Sequence, residues 1–201
     1  MNIDTHINTV NIELDGIISE ILKAPKDKFK IGQFHTNQLF DPGTEFNSYP
    51  NTKPEFKHIL AKLDDYYGDC IYWFETETTE DAIKLDNLLS EYRSKKQLKN
   101  SGYRAVPTTN KLAHKDKTFY LGVRKGKPSK RGLTNIMGRI NQHLGYYKNA
   151  RTQGLQLYHW AKDADVTIII HCVHFNQDLG PLLYVLEHKL ANKLHPHCGR
   201  H

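Results

Sequence analysis

Glu187 occupies a position on the C-terminal helix where the surrounding pattern favours leucine. Residues 181–194 predict an amphipathic helix with Pro181 in its first turn. Glu187 lies four residues after Leu183 and three before Leu190, so it shares the inward face of this helix. Burial of an unpaired carboxylate costs several kcal/mol. We therefore expect a metal ion, a cationic partner or a water-filled cleft beside Glu187, unless it is solvated at the edge of the apolar stripe.

A strand upstream of this helix carries aromatic and basic side chains. Residues 118–124 alternate as in a half-buried strand, with Tyr120, Gly122 and Arg124 on one face. A glycine inside a strand gives up packing and often marks the close approach of another backbone or a ligand. This face of the strand is therefore a candidate for a functional site.

The next predicted helix presents Arg139 and His143 one turn apart on one face. It begins near Thr134 or Asn135, since both residue types are good N-caps. An arginine, a potential proton donor, a tyrosine and a carboxylate can supply charge stabilisation, proton transfer and a metal site for phosphodiester hydrolysis. The alternative for Arg139 and His143 is an ordinary solvated helix face.

These segments resemble the GIY-YIG endonuclease family in the order that the family shows. Residues 70–72, Cys-Ile-Tyr, are similar to the first strand motif, and residues 120–122, Tyr-Leu-Gly, to the second. Residues 138–143 resemble the helix motif with its arginine. Glu187 corresponds to the helical glutamate of the family, and Pro196 follows it by nine residues, an interval that the family favours.

The chain departs from the family pattern at several places. Cys70 replaces the first glycine, roughly 45 residues separate the two strand motifs, and Gly199 stands where asparagine is common. The basic loop before Arg139 is also longer than usual. The resemblance implies a GIY-YIG-like domain at residues 68–201, with an insertion at about 76–117. Residues 1–67 would form an N-terminal helical extension and arm.

The resemblance implies a role for each of five residues. Glu187 would hold one divalent cation, Mg²⁺ or Mn²⁺, because a lone carboxylate completed by water and phosphate oxygens suits a hard ion. Arg139 would bind the scissile phosphate and stabilise charge in the transition state. Tyr72 would be the general base and Tyr120 would orient water or phosphate. A free phenol is a weak base at neutral pH, so nearby positive charge is required, and His143 is an alternative base.

The charge distribution agrees with a polyanionic partner. Residues 95–151 contain 15 lysines and arginines but a single acid, Asp116, whereas the whole chain carries a net charge of only +6. Such a block is expected of a surface that binds nucleic acid, and we expect DNA, with double-stranded DNA favoured. The residues predicted to contact nucleic acid are Arg124, Lys125, Lys127, Lys130, Arg131 and Lys148.

Cysteine usage and hydropathy indicate where the protein works. Cys70, Cys172 and Cys198 are odd in number and scattered, so a reducing cytoplasm fits best. Apolar runs of roughly 18 residues are absent from the sequence, and we expect neither a membrane span nor a secretory signal. The histidines and cysteine near the C-terminus lack a paired zinc-ligand spacing, so a solvated tail is favoured over a zinc site.

Hydrophobic periodicity predicts the α+β class, with a small, mainly antiparallel sheet of three strands flanked by helices. The predicted strands are 70–75, 118–124 and 166–175, the last of them central. The predicted helices are 8–23, 55–66, 82–92, one that begins at 134 or 135, and 181–194. Residues 24–54, rich in Pro, Gly, Asn and Asp, are expected to form a long connection.

The sequence thus favours a metal-dependent DNA endonuclease with a single-metal site of GIY-YIG type. A catalytically weakened nucleic-acid-binding protein on the same scaffold is the alternative, because two family positions are altered. A third possibility is a protein-interaction domain on which basic residues cluster by chance. Cleavage and binding assays with DNA separate these three hypotheses.

Overall fold

The computed structural model describes residues 3–41, 54–97, 102–111, 116–126, 135–147 and 153–199. Within these ranges the chain forms five α-helices and four β-strands. In chain order they are α1 (Ile3–Lys23), β1 (Lys30–His35), α2 (Pro54–Asp64), β2 (Cys70–Thr76), α3 (Thr79–Ser94), β3 (Thr118–Arg124), α4 (Ile136–Leu144), β4 (Thr167–His174) and α5 (Leu182–Leu194).

The four strands form one sheet in the order β1-β4-β2-β3, and each neighbouring pair is antiparallel. The predicted α+β class is confirmed, but the prediction of three strands is wrong. β1 lies in the region predicted as a connection and pairs with β4 at the edge of the sheet. Its register is irregular between Lys30 and Gly32, and its buried residues do not alternate strictly. The period-two pattern that identifies a strand is therefore broken in β1.

Helices cover both faces of the sheet. In β2, Tyr72 and Phe74 belong to an apolar cluster with residues of α2, α3 and α4, whereas Ile71 and Trp73 pack in a second cluster with α1 and α5. This alternation follows from the two-residue period of a strand. The first cluster supports the phenol of Tyr72, and the second holds the helix that carries Glu187.

Helix boundaries agree with the predictions to within a few residues, apart from α1. Its first turns precede the predicted start at residue 8, and residues 3–13 are exposed. In α3, Thr78 accepts a hydrogen bond from the backbone N–H of Asp81, as expected for an N-cap. Asn135 likewise caps α4, because its side chain accepts a hydrogen bond from the N–H of Gly138.

The C-terminal segment is added to the outer edge of β3. The backbone N–H groups of His197 and Cys198 donate to the carbonyls of Thr118 and Phe119, at 3.1 and 3.0 Å. The expectation of a solvated tail is therefore wrong for His197 and Cys198, which are buried. This pairing leaves the following part of the β3 edge, beyond Tyr120, beside a cleft.

All three cysteines are buried free thiols. Cys70 and Cys172 lie in adjacent strands, and the Cys198 thiol donates a hydrogen bond to the carbonyl of Phe119. Over the ranges given above, no helix is long and apolar enough to cross a membrane.

Candidate active site

A cleft of about 430 Å³ lies beside β3, and its walls come from six parts of the chain. Residues 106–108 and the strand itself contribute to the walls. Arg139 enters from α4, and Glu187 from α5. The complete lining consists of Val106, Pro107, Thr108, Tyr120, Leu121, Gly122, Val123, Arg139, Gln153, Tyr184, Glu187 and Gly199.

Gly122 allows two phenols to meet at the base of this site. Tyr72 of β2 is paired with Gly122 of β3, and Tyr120 lies two residues earlier on the same face. A Cβ atom on Gly122 would lie 2.9 Å from the Tyr72 oxygen and 3.0 Å from the Tyr120 oxygen. Carbon and oxygen atoms rarely approach so closely without a bond, so the glycine provides space that both hydroxyl groups need. The sequence pattern indicated a close approach at this glycine, and the structure shows that the approaching atoms are phenol oxygens.

The Arg139 guanidinium joins both phenols to α4. Its Nε donates to the Tyr72 oxygen at 3.1 Å, and Nη2 lies 3.5 Å from the Tyr120 oxygen. Nη1 donates to Oε1 of Gln142 at 2.9 Å. Burial opposes the charge of Arg139, but the two phenols outweigh it and raise the pKa of the guanidinium above its usual range. Arg139 therefore remains a fixed positive charge at the cleft.

His143 is fully buried and acts as a neutral hydrogen-bond donor. Its Nδ1 accepts the backbone N–H of Leu155 at 3.0 Å, so the proton of the neutral imidazole is carried by Nε2. Nε2 lies 2.9 Å from the Tyr72 oxygen, and the imidazole is the donor in that bond. Burial, followed by the charge of Arg139, holds the pKa of His143 well below its usual range. The imidazole is thus unable to take up a proton at neutral pH.

The Tyr72 oxygen consequently accepts two hydrogen bonds, one from His143 and one from Arg139. Both donors hold this oxygen in place, and Arg139 brings a full positive charge beside it. Because the imidazole of His143 is a buried neutral donor, His143 positions the Tyr72 hydroxyl group in this arrangement. Burial raises the pKa of Tyr120 well above its usual range, so Tyr120 keeps its proton and suits an orienting role.

Glu187 is half-buried on α5 and lines the same cleft. Burial raises the pKa of its carboxyl group to about 7, although the positive charge of Arg139 acts in the opposite direction. A carboxylate held in this way gains stability from a bound cation. No group of three or more His, Cys, Asp and Glu residues suited to a metal occurs within the described ranges. Glu187 therefore fits a hard ion whose other ligands are water and phosphate oxygens, and does not fit a site built wholly from protein ligands.

The basic residues predicted to contact nucleic acid fall into two groups. Arg124 is half-buried at the end of β3, where burial first and then the charge of Arg139 lower its pKa. The Lys125 ammonium lies 5.4 Å from the ring centroid of Tyr184. Arg124 and Lys125 thus lie close to residues that line the cleft. The other predicted contacts, Lys127, Lys130, Arg131 and Lys148, lie outside the described residues.

Several residues of the site were not predicted from the sequence. Gln142 is buried and holds Arg139, and its spacing of three residues on one helix was an available signal. Tyr184 precedes Glu187 by three residues and lines the cleft. The Arg93 guanidinium donates to the carbonyls of Val106 and Pro107, which fixes a wall of the cleft. Sequence spacing gives no signal for this last contact, because it depends on how the insertion folds.

Comparison with known proteins gave no match. No family model fits the sequence, and no curated protein or solved structure is significantly similar to the chain. Assignment of a function therefore rests on the α+β fold and on the chemistry of the cleft.

Proposed function

We propose that the protein is a metal-dependent DNA endonuclease that hydrolyses phosphodiester bonds in the cleft beside β3. The supporting observation is that Tyr120, Arg139 and Glu187, which come from three separate elements, line one cleft. Tyr72 of a fourth element lies behind the cleft lining and accepts a hydrogen bond from Arg139 at 3.1 Å. Two half-buried guanidinium groups, Arg124 and Arg139, close to a single half-buried carboxylate suit an anionic substrate better than a neutral one.

The contacts suggest how these residues would act on a phosphodiester. Tyr72, in its phenolate form, would accept the proton of the attacking water and become a neutral phenol, and its two hydrogen-bond donors would hold the oxygen in place. Arg139 would stabilise the negative charge that develops on the phosphorane-like transition state. His143 would position Tyr72 without exchanging a proton. A divalent cation bound at Glu187 would supply Lewis-acid stabilisation of the phosphate oxygens.

The cell compartment and the metal belong to the same proposal. Mg²⁺ is favoured and Mn²⁺ is the alternative, because a single carboxylate with water ligands suits hard, oxygen-seeking ions. Three buried free thiols suit a reducing compartment, and we place the protein in the cytoplasm.

A nucleic-acid-binding protein without catalysis is the second candidate, and Gly199 favours it. This glycine lines the cleft at the position where the family commonly has asparagine, so that side chain is missing from the wall. The other altered position, Cys70, is fully buried in the core and leaves the hydroxyl group of Tyr72 in place. Gly199 thus weakens the site by removing a side chain from the cleft wall, whereas Cys70 is accommodated by packing in the core.

Incubation of supercoiled plasmid with the purified protein separates the candidates. The endonuclease nicks or linearises the plasmid with Mg²⁺ or Mn²⁺ and leaves it intact with a chelator. Glu187→Ala removes this activity but still shifts DNA on a gel, since loss of a negative charge does not weaken attraction to phosphate. Bound but uncut plasmid would favour the binding protein. No shift at low salt would favour the protein-interaction domain.

A further inference from the structure

We propose that the cleft receives a strand in which the nucleotide beside the scissile phosphate is unpaired, and that its base stacks on Tyr184. This inference rests on the proposed nuclease function and specifies its substrate: a duplex with a bulged or flapped nucleotide, or a single strand. It replaces the expectation that double-stranded DNA is preferred.

Tyr184 has the exposure and position required for a stacking platform. Its residue surface is 52% exposed although it belongs to the wall of a cleft. It lies three residues before Glu187 on α5, so both side chains point to the same side of the helix. A base on the Tyr184 ring would therefore belong to a nucleotide next to the phosphate that reaches Glu187.

Lys125 supplies the charge that normally accompanies such a platform. Its ammonium group lies 5.4 Å from the Tyr184 ring centroid, within the range of a cation–π contact. Proteins that bind single strands combine aromatic rings for the bases with basic side chains for the backbone. Tyr184 provides the ring on the cleft wall, and Lys125 provides the charge beside that ring.

The depth of the reactive groups disfavours a continuous duplex. Tyr120 lines the cleft and is only 8% exposed, so the scissile phosphate must enter the cleft to reach Tyr120 and Arg139. The cleft volume of about 430 Å³ is that of a site for a small ligand, such as one nucleotide. A phosphate can enter if its nucleotide leaves the base stack. This displacement costs least when the base is already unpaired.

The wall formed by residues 106–108 has little freedom to widen the cleft. The Arg93 guanidinium donates hydrogen bonds to the carbonyls of Val106 and Pro107. Thr108 is tied to the C-terminal segment, because its carbonyl accepts the N–H of Gly199 at 3.0 Å. Fixed walls favour selection of an unpaired nucleotide over opening of the cleft around a duplex.

The test compares cleavage of three DNAs of one sequence: a perfect duplex, the same duplex with one unpaired nucleotide, and the single strand. We expect the wild type to cut the second and third at least about tenfold more efficiently than the first. Tyr184→Leu should lose this preference mainly through a higher KM on the unpaired substrates, and Tyr184→Phe should retain it. Tyr67→Leu is the matched control, because Tyr67 is an exposed tyrosine outside the cleft lining.

A second measurement makes the inference independent of cleavage. 2-Aminopurine at the unpaired position should lose fluorescence when the DNA binds wild-type protein in a chelator, and should lose less with Tyr184→Leu. Equal cleavage of all three DNAs, or equal quenching by both proteins, overturns the stacking proposal and leaves the nuclease proposal standing. Quenching that depends on Tyr184, without any metal-dependent cleavage, supports the stacking proposal and contradicts the nuclease proposal.

Discussion

The Tyr72 oxygen lies 2.9 Å from Nε2 of His143, and the imidazole donates the proton in this hydrogen bond. The direction is fixed at the far side of the ring, where Nδ1 accepts the backbone N–H of Leu155. The hydrogen bond from the Leu155 amide to Nδ1 therefore places the proton of the neutral His143 imidazole on Nε2. His143 therefore holds Tyr72 through a donated hydrogen bond, and we propose that Tyr72 is the proton acceptor.

Substitution of His143 tests this assignment. His143→Gln keeps an amide donor for Tyr72 and an acceptor for Leu155, so we expect activity within about tenfold of the wild type. Tyr72→Phe removes the base and should lower kcat by about 10² to 10⁴. If His143→Gln were as inactive as Tyr72→Phe while its thermal unfolding stayed close to that of the wild type, the imidazole would be the group that moves the proton.

Gly122→Ala tests the approach of the two phenols. The added Cβ would stand 2.9 Å from the Tyr72 oxygen and 3.0 Å from the Tyr120 oxygen, so at least one phenol must move. We expect kcat to fall at least about tenfold, because a small misplacement of a reacting group is costly. The measurement is metal-dependent cleavage under saturating DNA.

Gly16→Ala is the matched control for this substitution. Gly16 lies within α1, and a Cβ there would meet nothing within 4 Å. Because alanine favours a helix over glycine, this variant should be more stable by about 1 kcal/mol and cleave at the wild-type rate. Equal activity of Gly122→Ala and Gly16→Ala would show that the phenols are not held at the distances that the site needs.

The parts of the fold that were predictable have regular periodicity. β3 has the predicted bounds, residues 118–124, since its apolar and polar residues alternate. Asn135, the cap of α4, is one of the two caps that the sequence predicted. β1 was missed because its register shift between Lys30 and Gly32 disrupts the alternation on which strand prediction depends. Burial of the C-terminal segment was missed for a related reason. His197 and Cys198 pair with β3 through backbone groups, which any sequence possesses.

The site divides in the same way between predictable and unpredictable features. Spacing placed Arg139 and His143 on one helix face, and the inward position of Glu187 indicated a carboxylate in a cleft or beside a cation. Spacing gave no account of the protonation of His143, which depends on a loop residue, Leu155, twelve positions away. Tyr72 was predicted as a site residue only from the resemblance to the family, because a buried tyrosine in an apolar strand has no distinctive sequence signal of its own.

Arg139 should be the residue most sensitive to conservative replacement. Its guanidinium makes three directional contacts, to Tyr72, Tyr120 and Gln142, which a lysine ammonium cannot reproduce. We expect Arg139→Lys to lower kcat by about 10² to 10³ with a smaller change in KM, since the charge acts mainly on the transition state. Single-turnover cleavage is the measurement. A change confined to KM would show that Arg139 contributes to binding only.

Glu187 should make both stability and metal affinity depend on pH. Its pKa is about 7 in the folded protein, against a usual value of 4.5, so the folded state binds the proton more tightly than the unfolded chain does. This stabilisation is fully present below pH 4.5 and is lost as the pH rises through about 7. Glu187→Gln cannot ionise and should be more stable than the wild type at pH 8 by about 1 to 2 kcal/mol, after allowance for the half-exposed carboxylate.

Mg²⁺ should reverse that difference, because the ion requires the ionised carboxylate. Thermal unfolding at pH 8 should show that Mg²⁺ stabilises the wild type and has no effect on Glu187→Gln. The Mg²⁺ concentration for half-maximal cleavage should rise about tenfold for each pH unit below 7, as protons compete for Glu187. A half-maximal Mg²⁺ concentration that is constant between pH 5 and 8 would mean that the ion binds elsewhere. Stabilisation of Glu187→Gln by Mg²⁺ would lead to the same conclusion.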